Sequence, residues 1–141
     1  MNLLFMCVAN SARSQLAEGL ARKLLGNHAH VESAGSRPSQ VNPFAIRAMR
    51  EAGIDISRHY SKAIEDLQTE FVEQLDYVIT LCAEEVCPTL TSRRAKKLHW
   101  PLPDPAGKTG TDEEQLARFR ETRDALEKKL KAFADEVGIS C

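Results

Sequence analysis

Short apolar runs alternate with helical stripes along the chain, and this alternation constrains the fold more than any other feature. Residues 3–6 form a continuous apolar run, which is typical of a strand covered on both faces. Leu16, Leu20 and Leu24 follow at helical spacing, and Gly26 is a stop signal for that helix. Repeated strand–helix alternation predicts an α/β fold in which helices cover both faces of a parallel sheet.

The remaining segments complete a four-stranded sheet. We expect further strands at 30–33, 77–81 and 97–100, and a loop at 35–40. Helices are expected at 14–25, from Asn42-Pro43 to Gly53, and around the stripe of Leu67, Phe71 and Leu75. A long last helix should begin with the capping box Thr111 to Glu114 and bury Leu116, Phe119, Leu126, Leu130 and Phe133. The pattern does not give the order of the strands.

Composition excludes several classes of function. A chain of 141 residues with 43% hydrophobic residues predicts one domain over 1–141, and we expect a monomer. A net charge of −1 argues against a nucleic-acid partner bound through bulk charge. No apolar run approaches the ~18 residues of a membrane span, and the first residues lack the basic start of a secretion signal. We therefore expect a cytoplasmic protein, in which four cysteines indicate catalysis, redox chemistry or metal binding rather than structural disulfides.

The segment between the first strand and the first helix, residues 7–14, carries most of the chemical information. Backbone N–H groups of a loop this short can converge on a tetrahedral oxyanion, and Arg13 adds a planar fork of donors. The same positive field stabilises the thiolate of Cys7, and Ser14 can hydrogen-bond to its sulfur. The alternative is a buried cysteine at a strand end beside a surface arginine. The segment reads Cys7-Val8-Ala9-Asn10-Ser11-Ala12-Arg13-Ser14.

This loop resembles the signature of the low-molecular-weight tyrosine phosphatase superfamily, which contains phosphatases and a group of arsenate reductases. The resemblance to thioredoxin-coupled arsenate reductases extends through segments 33–35, 41–43, 76–82, 87–88, 99–100 and 104–107. It implies a low-molecular-weight phosphatase-like fold, Cys7 as the nucleophile, residues 8–14 as the oxyanion site and arsenate as the substrate. We expect neither a cofactor nor a resident metal.

Two later cysteines separate the two branches of this superfamily. Phosphoryl transfer changes no oxidation state and has no step that uses a second, resolving thiol. Reduction of arsenate, in contrast, needs the two electrons that a dithiol supplies. The predicted relay runs from a Cys7–arsenate adduct to a Cys7–Cys82 disulfide and then to Cys82–Cys87. The resemblance implies that thioredoxin reduces the last disulfide. If segment 83–86 is helical, it would have to unwind for the Cys82–Cys87 bond to form. The alternative interpretations of this cysteine pair are a zinc half-site or two inert cysteines.

An acidic residue and a charged cluster complete the candidate site. Asp104, between two prolines, is expected to protonate the oxygen that leaves arsenic, with a simple turn residue as the alternative. Some relatives hold potassium near the loop with Asn, Glu, Ser and Asp side chains. Three of these positions match here, but Lys62 stands at the fourth, and we expect its buried ammonium to replace the ion. The alternative is a solvated lysine. The matching residues are Asn10, Glu18 and Ser33.

Departures from the resemblance keep other functions open. The segment from Cys82 to Cys87 is about two residues shorter than in typical thioredoxin-coupled members, so glutathione with glutaredoxin is the alternative reductant. A low-molecular-weight phosphatase would use Cys7, Arg13 and Asp104 but leave the later cysteines idle. A redox sensor or arsenite-binding protein would use the same thiols without turnover. Cys141 is expected to have no catalytic role.

Overall fold

The computed structural model describes residues 1–83, 90, 94–106 and 108–139. Its strands form one parallel sheet in the order β2-β1-β3-β4, so the fold class predicted from the sequence is confirmed. Short 3-10 turns occupy Gly26–His28 and Ile64–Asp66. The strands are β1 (Asn2–Cys7), β2 (His30–Gly35), β3 (Tyr77–Thr80) and β4 (Lys96–His99), and the helices are α1 (Arg13–Leu25), α2 (Pro43–Glu51), α3 (Thr69–Glu73) and α4 (Asp112–Glu136).

The central strand β1 is buried on both faces because apolar side chains alternate to either side of it. Leu3 and Phe5 pack into the larger core, beneath α1, α2 and α4. Leu4 and Met6 pack into a smaller core on the other face, where α3 lies. Since β1 pairs with β2 on one side and β3 on the other, its carboxyl end at Cys7 lies in the middle of the sheet edge.

The long helix α4 begins as predicted and joins α2 through charged groups. The capping box is formed, since Glu114 N–H donates to Thr111 Oγ1 and Thr111 N–H donates to Glu114 Oε1. Arg120 and Arg123 both contact the Glu51 carboxylate, and hydrogen bonding from Arg120 lowers the pKa of Glu51 to about 2. In the part of the chain that the structure describes, no helix is both long and apolar enough to cross a membrane.

The helix predicted around Leu67, Phe71 and Leu75 is shorter than expected. Leu67 has an extended backbone after the 3-10 turn, and Gln68 caps α3 in an extended conformation. Leu75 N–H bonds to Val72 in a turn beyond the helix end. The side chains of Leu67, Phe71 and Leu75 still pack into the smaller core. The periodic stripe therefore predicted their burial correctly but predicted a helix that is too long.

The strand ends also differ from the prediction. β2 extends two residues further to Gly35, which pairs with Cys7, so part of the expected loop at 35–40 is strand. β3 ends at Thr80 rather than at residue 81, and β4 covers Lys96–His99 rather than 97–100. The ladder hydrogen bonds continue past both ends, because Leu81 N–H donates to Met6 and Trp100 N–H donates to Thr80.

Candidate active site

The loop between β1 and α1 turns its carbonyl groups outward. Five consecutive carbonyl oxygens, from Val8 to Ala12, accept hydrogen bonds from groups around the outside of the loop. In a planar trans peptide the N–H points opposite to the carbonyl, so the N–H groups of residues 9–13 point inward. The donors that hold the carbonyls are the backbone N–H groups of Leu16, Arg37, Ser39 and Asn42 and the side chains of Gln15 and Ser61.

Two side chains inside the loop connect its middle to the sulfur of Cys7. Cys7 Sγ lies 2.9 Å from Ser14 Oγ, and Asn10 Nδ2 donates to the same hydroxyl at 2.7 Å. With its oxygen accepting from Asn10, the Ser14 hydroxyl can donate its proton to the sulfur of Cys7. Asn10 is fully buried in a left-handed conformation, φ 50°, so it forms the turn of the loop and also braces the loop through its bond to Ser14.

A small cavity opens over this loop. It has a volume of about 190 Å³ and is bounded by Cys7, the backbone of the loop, Arg13 and Asp104. Arg13 is nearly buried, and its Nη1 donates to the carbonyl oxygens of Leu81 at 3.4 Å and Leu102 at 2.9 Å. These bonds fix the guanidinium at the cavity wall. The lining residues are Cys7, Val8, Ala9, Ser11, Ala12, Arg13 and Asp104.

Asp104 reaches this cavity from a segment that is distant in sequence. Its carboxylate Oδ1 accepts the backbone N–H of Ala106 at 2.9 Å, which is the turn geometry that aspartate favours. Asp104 is therefore both a turn residue and a wall of the cavity. A carboxyl group in this position can exchange a proton with an oxygen of a bound tetrahedral anion.

Cys82 lies two residues beyond the end of β3, the strand beside β1. Its side chain is buried, and Cys7 and Cys82 are both thiols rather than partners in a disulfide. Neighbouring parallel strands lie about 5 Å apart, so the ends of β1 and β3 bring the segments that carry Cys7 and Cys82 to the same part of the sheet edge. Cys87 and Cys141, and most of segment 83–86, lie outside the described residues.

A buried charged cluster lies behind the loop. Ser33 Oγ donates to Glu18 Oε1 at 2.6 Å, and Lys62 Nζ lies 3.4 Å from the same oxygen. Lys62 is 6% exposed and also lies 3.6 Å from Glu32, so it is not the solvated side chain of the alternative interpretation. The backbone N–H of Lys62 donates to Asn10 Oδ1, which connects this cluster to the loop. Arg22 contacts both carboxylates from the solvent side.

Gly35 allows the backbone of the loop to pack closely against β2, because glycine has no side chain. A Cβ at this position would lie 2.3 Å from Val8 O and 2.8 Å from Cys7 O, both of them backbone atoms. We expect Gly35→Ala to displace the loop, to cost roughly 1–3 kcal/mol of stability and to weaken the binding of inorganic phosphate, measured by calorimetry. Gly26→Ala is the control, because that site is strained at φ 53° but open. Equal phosphate affinity in the wild type and Gly35→Ala would contradict this prediction.

Comparison with known proteins assigns the chain to a family. The model of the low molecular weight phosphotyrosine protein phosphatase family matches residues 2–140. The chain belongs to this family. Proteins named arsenate reductase from Halalkalibacterium halodurans and Bacillus subtilis are 46% and 43% identical to it over 93% of each chain. A solved structure described as an arsenate reductase in the phosphate binding state superposes with a TM-score of 0.78 at 34% identity, covering 96% of this chain and 97% of the other.

The family assignment confirms the resemblance found in the sequence, and the geometry adds residues that sequence reasoning did not assign to the site. Gln15 Nε2 donates to both oxygens of Asn10 and to the carbonyl of Tyr60, while its Oε1 lies 3.0 Å from His59 Nδ1. Burial lowers the pKa of His59, and the nearby Glu18 carboxylate opposes that shift. Ser61 Oγ donates to Ala9 O at 2.8 Å. The polar residues His59 and Ser61 were the available signal in the sequence for these contacts.

Proposed function

We propose that this member of the family reduces arsenate to arsenite. The observation that carries the proposal is the cavity shared by Cys7, Arg13 and Asp104, together with a second buried thiol, Cys82, after the adjacent strand. The curated relatives named arsenate reductase support it, since they match at 41–46% identity. A phosphatase would need the cavity but not the second thiol.

The first step uses the residues that line the cavity. Inward N–H groups of residues 9–13 and the Arg13 guanidinium bind the arsenate oxygens and lower the cost of bringing the anion beside a thiolate. The Cys7 thiolate attacks arsenic, and an S–As bond forms as an As–O bond breaks. Asp104 donates a proton to the departing oxygen, which leaves as water. Arsenic remains in its +5 state at this stage.

The second step transfers two electrons. The Cys82 thiolate attacks Cys7 Sγ, an S–S bond forms, and the electron pair of the S–As bond stays on arsenic. Arsenite then leaves, so one dithiol has become one disulfide while As(V) has become As(III). In the third step the Cys87 thiolate attacks Cys82, and Cys7 leaves again as a thiolate. The resulting Cys82–Cys87 disulfide stores the oxidising equivalents.

The proposal includes an external reductant that returns the chain to its dithiol form. Thioredoxin supplies two electrons per disulfide, and glutathione with glutaredoxin is the alternative. Both reductants act in a reducing compartment, so we propose that the chain acts in the cytoplasm. We also propose that it is a monomer with one domain over 1–141. The relay requires no cofactor or metal beyond these thiols.

A low-molecular-weight phosphatase is the second candidate function, favoured by the family model and by a cavity suited to any tetrahedral oxyanion. The residue after Asp104-Pro105 is Ala106, which offers no aromatic ring to hold a phosphotyrosine side chain. This departure argues for a small oxyanion rather than an aryl phosphate as substrate.

The test is a single turnover followed by mass spectrometry. The reduced protein is mixed with one equivalent of arsenate without external thiol, quenched with an alkylating agent, and its disulfides are mapped. We expect about one arsenite per chain and a Cys82–Cys87 disulfide. Arsenite formation that leaves both later cysteines alkylated would overturn the relay. A parallel NADPH-coupled assay with thioredoxin and its reductase, or with glutaredoxin, distinguishes the two reductants and excludes a sensor without turnover.

Lys62 should make turnover independent of potassium. Its ammonium already lies between the Glu18 and Glu32 carboxylates, so a monovalent cation has nothing to add there. We expect equal rates in potassium and sodium for the wild type. Lys62→Asp should cost roughly 3 kcal/mol of stability, because it removes the buried ammonium and places a third carboxylate beside Glu18 and Glu32, with Arg22 still in contact with both. The variant should also gain a dependence on potassium. The control Lys23→Asp changes an exposed lysine of α1. Several-fold potassium activation of the wild type would contradict the prediction.

A further inference from the structure

The segment that carries Asp104 is irregular, and in the described residues side chains of α4 donate hydrogen bonds to the part that follows Asp104. We call residues 102–106 and 108–110 the acid loop. It starts on firm support, since Leu102 N–H donates to Leu81 and Arg13 donates to Leu102 O. Beyond Asp104 the loop passes over α4, and a cavity of about 400 Å³ separates the two. Packing alone therefore leaves room for the acid loop to shift.

Arg118 of α4 spans this cavity. Its Nε donates to Pro105 O at 3.4 Å, and its Nη2 donates to Lys108 O at 2.8 Å and Thr109 O at 3.2 Å. One rigid, planar guanidinium thus holds three carbonyls of the acid loop, the first of them in the residue next to Asp104. Lysine, with a single nitrogen on a flexible stem, cannot reproduce this geometry.

Neighbouring arginines on the same helix make different contacts. Arg120 pairs with Glu51 and Glu113, and Arg123 donates to Ala48 O and Glu51, so both stabilise the contact between α4 and α2. Arg118 instead directs its charge-assisted hydrogen bonds at the backbone of the acid loop. Such bonds are roughly twice as strong as neutral ones.

We propose that Arg118 is a positioning residue that holds Asp104 in place over the oxyanion cavity. The inference rests on the proposed function, because it assigns Asp104 the role of proton donor. Arg118 does not line the oxyanion cavity, so its loss should slow proton transfer without weakening the binding of the anion. A general acid contributes about 10²–10⁴-fold to a rate, and misplacement forfeits part of that factor.

The test compares Arg118→Met, Arg118→Lys and the control Arg123→Met. Single-turnover arsenite formation should fall about tenfold or more in Arg118→Met, less in Arg118→Lys, and little in Arg123→Met. Phosphate affinity by calorimetry should be unchanged in all three. In an Asp104→Asn background, Arg118→Met should add no further loss, because Arg118 acts through that carboxyl. Additive losses, or a parallel loss of phosphate affinity, would overturn the inference.

Hydrogen exchange provides a readout that does not depend on arsenate. The Ala106 N–H, which donates to Asp104 Oδ1, should exchange faster in Arg118→Met than in the wild type or in Arg123→Met. Unchanged exchange at Ala106 overturns the inference even if the wild type reduces arsenate. A wild type that binds phosphate but converts no arsenate overturns the proposed function, and a separate change in Ala106 exchange would show that Arg118 still holds the loop.

Discussion

Replacing Cys7 with serine should abolish arsenate reduction, lowering the rate by about four orders of magnitude or more. A serine hydroxyl at this position stays protonated near neutral pH, so the attacking anion is lost. It also cannot form the disulfide bond whose formation leaves the electron pair of the S–As bond on arsenic. Single-turnover arsenite formation and the NADPH-coupled assay both measure the loss.

Binding should survive that substitution, because the inward N–H groups and Arg13 remain. We expect Cys7→Ser to bind inorganic phosphate within a few-fold of the wild type, by calorimetry. Cys141→Ser is the matched control for a cysteine without a catalytic role, and it should retain full activity. Arsenite production by Cys7→Ser at a rate near that of the wild type would refute Cys7 as the nucleophile. Loss of phosphate binding would instead show that the loop had collapsed.

Local features of the sequence were sufficient to predict the loop. Cys7 and Arg13 stand at fixed spacing between an apolar run and a helical stripe, and a strand, loop and helix form there. The predicted contact between Ser14 and the sulfur is present at 2.9 Å. Such features are predictable because the residues involved are close together in sequence and their spacing indicates which element each of them belongs to.

Contacts between distant segments were beyond the sequence pattern. Arg13 donates to the carbonyls of Leu81 and Leu102, which are 68 and 89 residues away. Every residue carries a carbonyl, so no side-chain pattern marks the two that hold this guanidinium. Gly35 was likewise assigned to a loop by composition, and its role follows only from the close approach of the Val8 and Cys7 backbones.

The sheet order explains how the pieces of the site come together. Because β1 lies between β2 and β3, the loop after β1 is supported by Gly35 on one side and by the segment after β3 on the other. Leu81 contributes twice, since its N–H donates to Met6 and its carbonyl accepts from Leu102 and Arg13. Cys7, Arg13, Cys82 and the acid loop are thus connected through one backbone segment.

That connection makes Cys82→Ser the most informative second substitution. Cys7 should still form its adduct with arsenic. Without the Cys82 thiol, however, Cys7 Sγ is not attacked and the electron pair of the S–As bond is not left on arsenic, so arsenite release in a single turnover should fall by about 10³-fold or more. Phosphate affinity should stay within a few-fold of the wild type. Because Cys82 is buried, Cys82→Ala is measured alongside to separate loss of the thiol from the cost of burying a hydroxyl.

Cys87→Ser provides the contrast that separates the relay from a simple loss of activity. It should release one arsenite per chain and then stop with a Cys7–Cys82 disulfide, whereas Cys82→Ser and Cys82→Ala should release almost none. Any phosphatase activity of the wild type should persist in all three variants, because phosphoryl transfer requires no change of oxidation state. Multiple turnovers by Cys82→Ala with thioredoxin would show that electrons reach arsenic without this sulfur, and the proposed order of disulfides would be wrong.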